Sequence, residues 1–81
     1  MNYADLVSFL VKSLVKDGAS VSVKQFAPLE DEIHIEVLVS NDEIGYVIGK
    51  GGIIANAIRT IVQASSYAHN DKKVRIHIDS I

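Results

Sequence analysis

Apolar and polar residues alternate with two different periods along the 81-residue chain, and this predicts both helices and strands. The first helix is predicted to start after Asn2, a favourable capping residue, and to end at Gly18. Its apolar stripe has helical spacing and consists of Tyr3, Leu6, Val7, Leu10 and Leu14.

Three segments show the two-residue alternation of strands. The first spans residues 20–26, and a turn around Pro28 separates it from the second. The second and third strands alternate most regularly, and their apolar positions are Ile33, Ile35, Val37, Val39, Val74, Ile76 and Ile78.

Two helices are predicted between the second and third strands. Ser40 and Glu43 have the spacing of a capping box and open a short helix that runs to about Ile48. The next helix starts at or just after Gly52, with an apolar stripe that consists of Ile54, Ile58, Ile61, Val62 and Ser65. The predicted element order is therefore α-β-β-α-α-β.

This order restricts the topology. The short turn between the first two strands predicts antiparallel pairing, whereas the long helical connection between the second and third allows a parallel pair. Right-handed crossovers place both connecting helices on one face of the sheet. We therefore predict one α+β domain over residues 1–81, with a three-stranded mixed sheet and its helices packed on one face.

Composition narrows the functional class. The net charge of −2 argues against binding long nucleic acid by bulk electrostatics, so any contact with RNA has to be local. There are no cysteines, which excludes disulfides and thiolate metal sites and fits a cytoplasmic location. No apolar run has the length of a membrane span, and Lys12 and Lys16 interrupt the first helix, so neither membrane insertion nor a signal peptide is expected.

The segment "VIGKGG" places three glycines and one lysine between the two predicted helices. The first amides of a helix lack intrahelical partners and attract anions, and glycines let a phosphodiester backbone approach closely. Lys50 adds a positive charge there, while Val47 and Ile48 could form an apolar shelf for unstacked bases. The segment is thus suited to single-stranded nucleic acid.

Other glycine motifs fit less well. A phosphate-binding P-loop needs four residues between its glycines, but only three separate Gly45 from Gly49, and Gly51 stands where a hydroxyl would follow the lysine. A dinucleotide-binding fingerprint needs a preceding parallel strand, and here a helix is predicted. On the glycines alone, an ordinary helix–helix turn with a solvated Lys50 is an equal alternative.

In the setting α-β-β-α-α-β, "VIGKGG" resembles the GxxG loop of a type II KH domain. "DEIGYVIGKGG", "AIRTIV" and "KKVRIHID" resemble the small single-KH KhpA (YlqC-like) family over essentially the whole chain. The resemblance implies a cytoplasmic protein that binds single-stranded RNA, an RNA chaperone or post-transcriptional regulator. It also implies a homodimer, pairing with a KhpB/Jag-type KH protein, and a role in cell elongation, division and cell-wall homeostasis.

Carried over by position, the resemblance makes Gly49, Lys50, Gly51 and Gly52 the RNA clamp. Val47, Ile48 and Arg59 are further candidates for RNA contact.

The chain departs from the family's pattern beside this clamp. Tyr46 stands where relatives usually carry a basic residue, Ile53 and Ile54 replace an Arg-Thr pair, and Ala55 replaces an isoleucine. The lost charges predict weak binding with a shallow dependence on salt. Tyr46 could stack on a base or pack against the first helix.

Two function classes follow. Ile53, Ile54 and Ala57 are a candidate dimer interface, because apolar residues at a helix start suggest a partner surface. The leading hypothesis is an RNA-binding dimer, and the alternative is a KH-shaped adaptor with negligible RNA affinity.

The remaining polar residues indicate no other chemistry. No catalytic constellation is present, so no enzyme is predicted. His34 and His77 are explained better as a cross-strand pair than as metal ligands, so no metal or cofactor is expected. Lys72, Lys73 and Arg75 are candidates for secondary phosphate contacts, and Glu30, Asp31 and Glu32 for a solvated turn.

Overall fold

The computed structural model describes residues 2–27 and 31–81. The helices are α1 (Tyr3–Lys12), α2 (Ile44–Ile48) and α3 (Ile53–Ala68), and the strands are β1 (Ser22–Gln25), β2 (Glu32–Val39) and β3 (Lys73–Ser80). Short 3-10 turns lie at Gly18–Ser20 and Lys50–Gly52. The predicted turn around Pro28, with Glu30, lies outside the described residues.

The described strands form one mixed sheet with the order β1-β2-β3. β1 pairs antiparallel with β2, and β2 pairs parallel with β3, with Ile33 opposite Val74 and Ile35 opposite Ile76. The predicted α+β class and both strand pairings are confirmed. No described strand pairs with the outer edge of β3, and α3 runs beside that edge.

The hydrophobic core lies between one face of the sheet and the helices. Every second residue of β2 is buried, which is the pattern of a strand that is covered on one face only. The buried apolar residues that α1, α2 and α3 contribute are Tyr3, Val7, Val11, Val47, Ala55, Ile58 and Val62. Fully burying an aliphatic side chain contributes about 1.5–3 kcal/mol, so this layer fixes how α3 sits on the sheet.

Several local predictions need correction. α1 does start after Asn2, whose Oδ1 accepts a hydrogen bond from Ala4 N at 2.9 Å, but it ends at Lys12, well before Gly18. Ser40 and Glu43 do not form a capping box. The carboxylate of Glu43 instead accepts a hydrogen bond from Lys16 N at 2.9 Å, so it ties α2 to the segment after α1.

The first strand and the α3 stripe also differ from the prediction. β1 has four residues, not the seven of the predicted segment 20–26. In α3, Ile58 and Val62 are buried as predicted, whereas Ile61 is 49% exposed. Ile61 lies on the flank of the predicted stripe, at the boundary that periodicity locates least well.

Candidate nucleic-acid interface

Residues 49–52 form a tight link between α2 and α3 in which all three glycines have positive φ. The angles are 73° at Gly49, 64° at Gly51 and 81° at Gly52. An L-residue adopts this region only with strain, so the backbone path explains why glycine recurs here. The link joins α2 to α3 within four residues and leaves Lys50 exposed.

Beyond this strain, the surroundings of Gly49 and Gly51 differ. A Cβ at Gly49 would lie 2.7 Å from Cγ1 of Ile54, which shows that Ile54 closes over that glycine. A Cβ at Gly51 would meet nothing within 4 Å, so the outer side of the loop is open. Gly49 therefore serves internal packing, whereas Gly51 leaves room for a ligand to approach the backbone.

The start of α3 is uncapped by any side chain. Gly52 precedes it in a left-handed conformation, and no acidic residue lies in the first turn. The amide of Ile53 donates to Lys50 O within the 3-10 turn. No carboxylate in the first turn of α3 therefore offsets the positive end of its dipole, which lies next to the open side of the loop.

A groove of ≈ 650 Å³ runs between α3 and the outer edge of β3. Its walls are formed on the helix side by Arg59, Thr60, Gln63, Ala64 and Tyr67, and on the strand side by residues 73–77. The charged side chains among these are Arg59, Lys73 and Arg75, and none of the groove residues is acidic. In a chain with net charge −2, this groove concentrates positive charge.

Two side chains of α3 hold the outer edge of β3. Arg59 donates from Nε to Ile76 O at 3.2 Å, and Oε1 of Gln63 accepts from Val74 N at 2.9 Å. These bonds satisfy backbone groups of β3 that pair with no other strand in the described residues. Nε2 of Gln63 is buried without a hydrogen-bond partner, which marks one unsatisfied donor in the wall of the groove.

The groove connects to the glycine loop through Asn56. Its Nδ2 lies 3.9 Å from the position a Cβ would take at Gly52, and its Oδ1 accepts from Nη1 of Arg59 at 3.3 Å. Polar groups therefore lead from the loop to the groove along one side of α3.

The three residues before Gly49 that were candidates for RNA contact lie in three different environments. Val47 is fully buried in the core, which corrects its assignment as an RNA-contact residue, since its side chain has no surface to offer. Ile48 is half-buried beside the loop. Tyr46 is 48% exposed, so its ring is available at the surface.

The candidate dimer residues lie on the outward side of α3. Ile53 is 68% exposed and Ala57 is exposed, whereas Ile54 is half-buried because its side chain packs against the core and over Gly49. Ile61, which the sequence analysis placed in the core stripe, continues the exposed row. We call Ile53, Ala57 and Ile61 the apolar row.

The far end of the groove is fixed by the turn after α3. Tyr3 donates from its hydroxyl to Oδ2 of Asp71 at 2.9 Å, and Oγ of the buried Ser66 donates to Lys72 O. The backbone N–H of Lys72 and then the Tyr3 hydroxyl hold the pKa of Asp71 below its usual value. Burial, followed by the bond to Asp71, raises the pKa of Tyr3.

The open face of the sheet carries the two histidines. His34 and His77 stack with ring centroids 5.4 Å apart, and Nδ1 of His34 lies 3.1 Å from Nε2 of His77. Beside them, Nε of Arg75 donates to Glu32 at 3.0 Å, and this bond lowers the pKa of Glu32. Across the described part of the chain, no three His, Cys, Asp or Glu side chains are grouped to hold a metal.

Sequence reasoning placed Tyr67 at the border of the groove, but it missed Thr60 and Gln63 there and Ile61 in the apolar row. The available signal was spacing, because Arg59, Gln63 and Tyr67 recur every four residues and so share one side of a helix. None of the helices in the described ranges is long and apolar enough to cross a membrane.

Comparison with known proteins identifies the family to which this geometry corresponds. A family model described as the KH domain of KhpA and KhpB matches residues 4–78. The RNA-binding protein KhpA of Clostridium perfringens is 43% identical over 70 residues, which cover 86% of this chain and 92% of that protein. The RNA-binding protein KhpA of Listeria monocytogenes is 40% identical over 76 residues, which cover 91% of this chain and 95% of that one.

A solved structure is similar in fold. The crystal structure of an Aquifex aeolicus Era variant bound to GDP and aluminium fluoride superposes with a TM-score of 0.72. The match covers 98% of this chain and 30% of that longer one, at 16% identity. At this identity the likeness concerns the fold alone.

Proposed function

The chain belongs to the KhpA/KhpB KH-domain family, which is not a family of enzymes, and we propose that it binds single-stranded RNA with the glycine loop and the adjoining groove. The observation that carries the proposal is the charge of the groove. Its charged side chains are all basic although acidic residues outnumber basic ones in the chain. A local basic groove suits a polyanion that a net negative chain would otherwise repel.

At the loop end, Gly49, Lys50, Gly51 and Gly52 receive the sugar–phosphate backbone. The open space above Gly51 lets a phosphate approach the main chain, and the uncapped start of α3 favours an anion there. Lys50 is exposed and supplies a mobile positive charge. This is the arrangement in which a KH loop clamps about four nucleotides by their backbone.

Along the groove, bases lie against apolar and polar walls. Ile48 and Tyr46, which precede the glycine loop in the chain, offer apolar surface beside it, and Arg59 is the first basic side chain of the groove. Phosphates on the solvent side meet Lys73 and Lys72, while Arg75 is partly engaged by Glu32. Because Tyr46 and Ile53 bring no positive charge to the loop, few phosphate contacts are made, and affinity falls only gently as salt rises.

We further propose that the protein works as a dimer through the apolar row. Ile53, Ala57 and Ile61 are exposed at spacings of four residues, so a second helix could pack along them. A two-fold contact of this kind buries the same residues in both copies and brings two glycine loops into one particle. Joining two weak RNA sites raises the effective concentration at the second one.

The same surface offers a place for a KhpB/Jag-type KH protein. Within the family's implied biology, the chain acts in the cytoplasm as an RNA chaperone or post-transcriptional regulator in cell elongation, division and cell-wall homeostasis. The adaptor function is the second candidate, and the 68% exposed Ile53 beside the loop favours it.

The deciding experiment combines Lys50→Asp with Gly51→Asp and measures binding of short unstructured RNA at two salt concentrations. We expect the double variant to lose RNA binding and the salt dependence that accompanies it, while sedimentation shows the same dimer. The matched control, Ser22→Asp with Lys24→Asp, makes the same change in charge at exposed positions on the opposite edge of the sheet and should bind RNA normally. Unchanged affinity and salt dependence in the loop variant would establish the adaptor function instead.

A further inference from the structure

Tyr67 lies in the groove wall near the end of α3 and is 62% exposed. The proposed function assigns it no role. We propose that Tyr67 is a base-stacking site at the end of the groove farthest from the glycine loop, so that a bound RNA strand extends beyond the nucleotides held by the loop. This inference rests on the proposed RNA binding and adds a second, separate point of contact to it.

The register between α3 and β3 places Tyr67 in line with the groove. Arg59 is bonded to Ile76 and Gln63 to Val74, so four residues along the helix correspond to two residues along the strand in the opposite direction. Four helical residues rise about 6 Å, and two strand residues rise about 6.6 Å. A further four residues along the helix lead to Tyr67, which therefore corresponds to residues 72–73 on the strand side.

The distance from the loop makes this a distinct contact. Tyr67 follows Gly52 by fifteen residues, which corresponds to about 22 Å along α3. A ligand that reaches both must therefore be a chain of several units, as an RNA strand is. The groove provides a continuous path between them, since Asn56, Arg59 and Gln63 lie at helical spacing on the way.

The chemistry around Tyr67 favours a nucleotide over a protein segment. Lys73 lines the same groove and can meet a phosphate, while Ala64 and Val74 provide apolar surface. The groove residues include no carboxylate that would repel the strand. An exposed aromatic ring stacks on any base, because every base has a π-face, so the site is expected to tolerate sequence.

The test compares Tyr67→Ala and Tyr67→Phe with the wild type, using an unstructured RNA tetramer and an unstructured decamer. We expect Tyr67→Ala to weaken decamer binding by about 5- to 150-fold, the range measured for one base–aromatic stack. Tyr67→Phe keeps the ring and should bind the decamer like the wild type. The tetramer, held at the loop, should bind all three proteins equally.

A scan of abasic positions along the decamer gives an independent readout. In the wild type, one position far from the loop-bound nucleotides should show a loss of affinity, and in Tyr67→Ala the same substitution should cost nothing further. The control is Phe9→Ala, because Phe9 is similarly exposed, at 69%, but lies in α1 outside the groove. It should leave both RNAs unaffected.

The outcomes separate this inference from the proposed function. Wild-type protein that binds neither RNA overturns both. RNA binding that depends on Lys50 and Gly51 but is equal in wild type and Tyr67→Ala overturns the stacking site alone. So does equal weakening of tetramer and decamer, or a Tyr67→Ala protein that becomes monomeric, because the residue would then support the fold or a protein contact.

Discussion

The two exposed sides of α3 have opposite chemistry although both are built on the same spacing of four residues. The groove side carries Arg59, Gln63 and Tyr67, and the outward side carries Ile53, Ala57 and Ile61. Hydrogen bonds to β3 fix the first row, whereas the second is apolar and exposed. The proposed RNA site and the proposed pairing surface therefore lie on separate sides of one helix.

This separation means that each function can be removed without the other. The glycine loop lies next to both rows, because Ile53 follows it directly and Asn56 connects it to Arg59. Variants in one row, the other row and the loop thus form three distinguishable classes.

The largest effect is expected from Ile53→Asp in the apolar row. A two-fold contact would bury the new carboxylate twice without a partner, and an uncompensated buried charge costs about 3–5 kcal/mol. The dissociation constant of the dimer, measured by sedimentation, should rise by more than 100-fold. Ile61→Asp, in the same row but about 12 Å farther along α3 from the glycine loop, should have the same effect and retain binding of an RNA tetramer. Phe9→Asp introduces the same charge on α1 and should leave the dimer intact. A dimer that survives Ile53→Asp unchanged would place the interface elsewhere.

The loop is tested by comparing two glycines that share a positive φ but differ in ψ, which is 171° at Gly49 and 15° at Gly51. Gly49→Ala adds a methyl group against Ile54 to the strain of a φ/ψ combination that is essentially restricted to glycine, and we expect it to lower the free energy of unfolding by about 2–4 kcal/mol. Gly51→Ala carries only the backbone strain, about 1–2 kcal/mol, because its surroundings are open. Urea unfolding of both variants gives the difference. Equal losses would mean that neither the contact with Ile54 nor the backbone angles of Gly49 add to the cost of its substitution.

The sequence predicted the sheet and the loop better than the surfaces of α3. Alternation in Ile33 to Val39 fixes β2 because a strand with one buried face has a simple period, and the glycine cluster marks the loop because positive φ restricts residue type. The role of Val47 could not be predicted, since a five-residue helix gives no periodicity that tells its buried from its exposed side. Ile61 was misplaced for a related reason, because an apolar residue beside the core stripe has the same spacing whether it packs inward or serves a partner.

Glu43 and Gln63 show a second limit of sequence analysis. Their partners, Lys16 N and Val74 N, are backbone groups that come within hydrogen-bonding distance only when the chain folds. Side-chain bonds to unpaired backbone amides leave no pattern of residue types. The groove wall is therefore a product of tertiary packing.

On the groove side, Arg59→Gln should weaken RNA binding and lower the slope of log K against log salt by about 0.7, the value for one phosphate contact with a single strand. The apolar row does not involve this residue, so the dimer should be unchanged. Lys24→Gln removes an equal charge from β1 and should leave the slope as it is. An unaltered slope in Arg59→Gln would show that its guanidinium remains bound to Ile76 and does not meet a phosphate.

The smallest expected effect is on the pH dependence of stability, and it also distinguishes the two sides of α3. The pKa of Asp71 is lower in the folded protein than its usual value of about 3.9, so its bonds to Lys72 N and Tyr3 contribute stability above that pH. This contribution is lost as the pH falls through the lowered pKa, when the carboxyl takes up its proton. Asp71→Asn should therefore unfold more easily near neutral pH and show a shallower loss of stability on acidification. Ile53→Asn is the control, because the apolar row contains no titratable group. Its stability should fall with pH as steeply as that of the wild type. The measurement is thermal unfolding at a series of acidic pH values. If the stability of Asp71→Asn fell with pH as steeply as that of the wild type, the far end of the groove would not depend on this carboxylate.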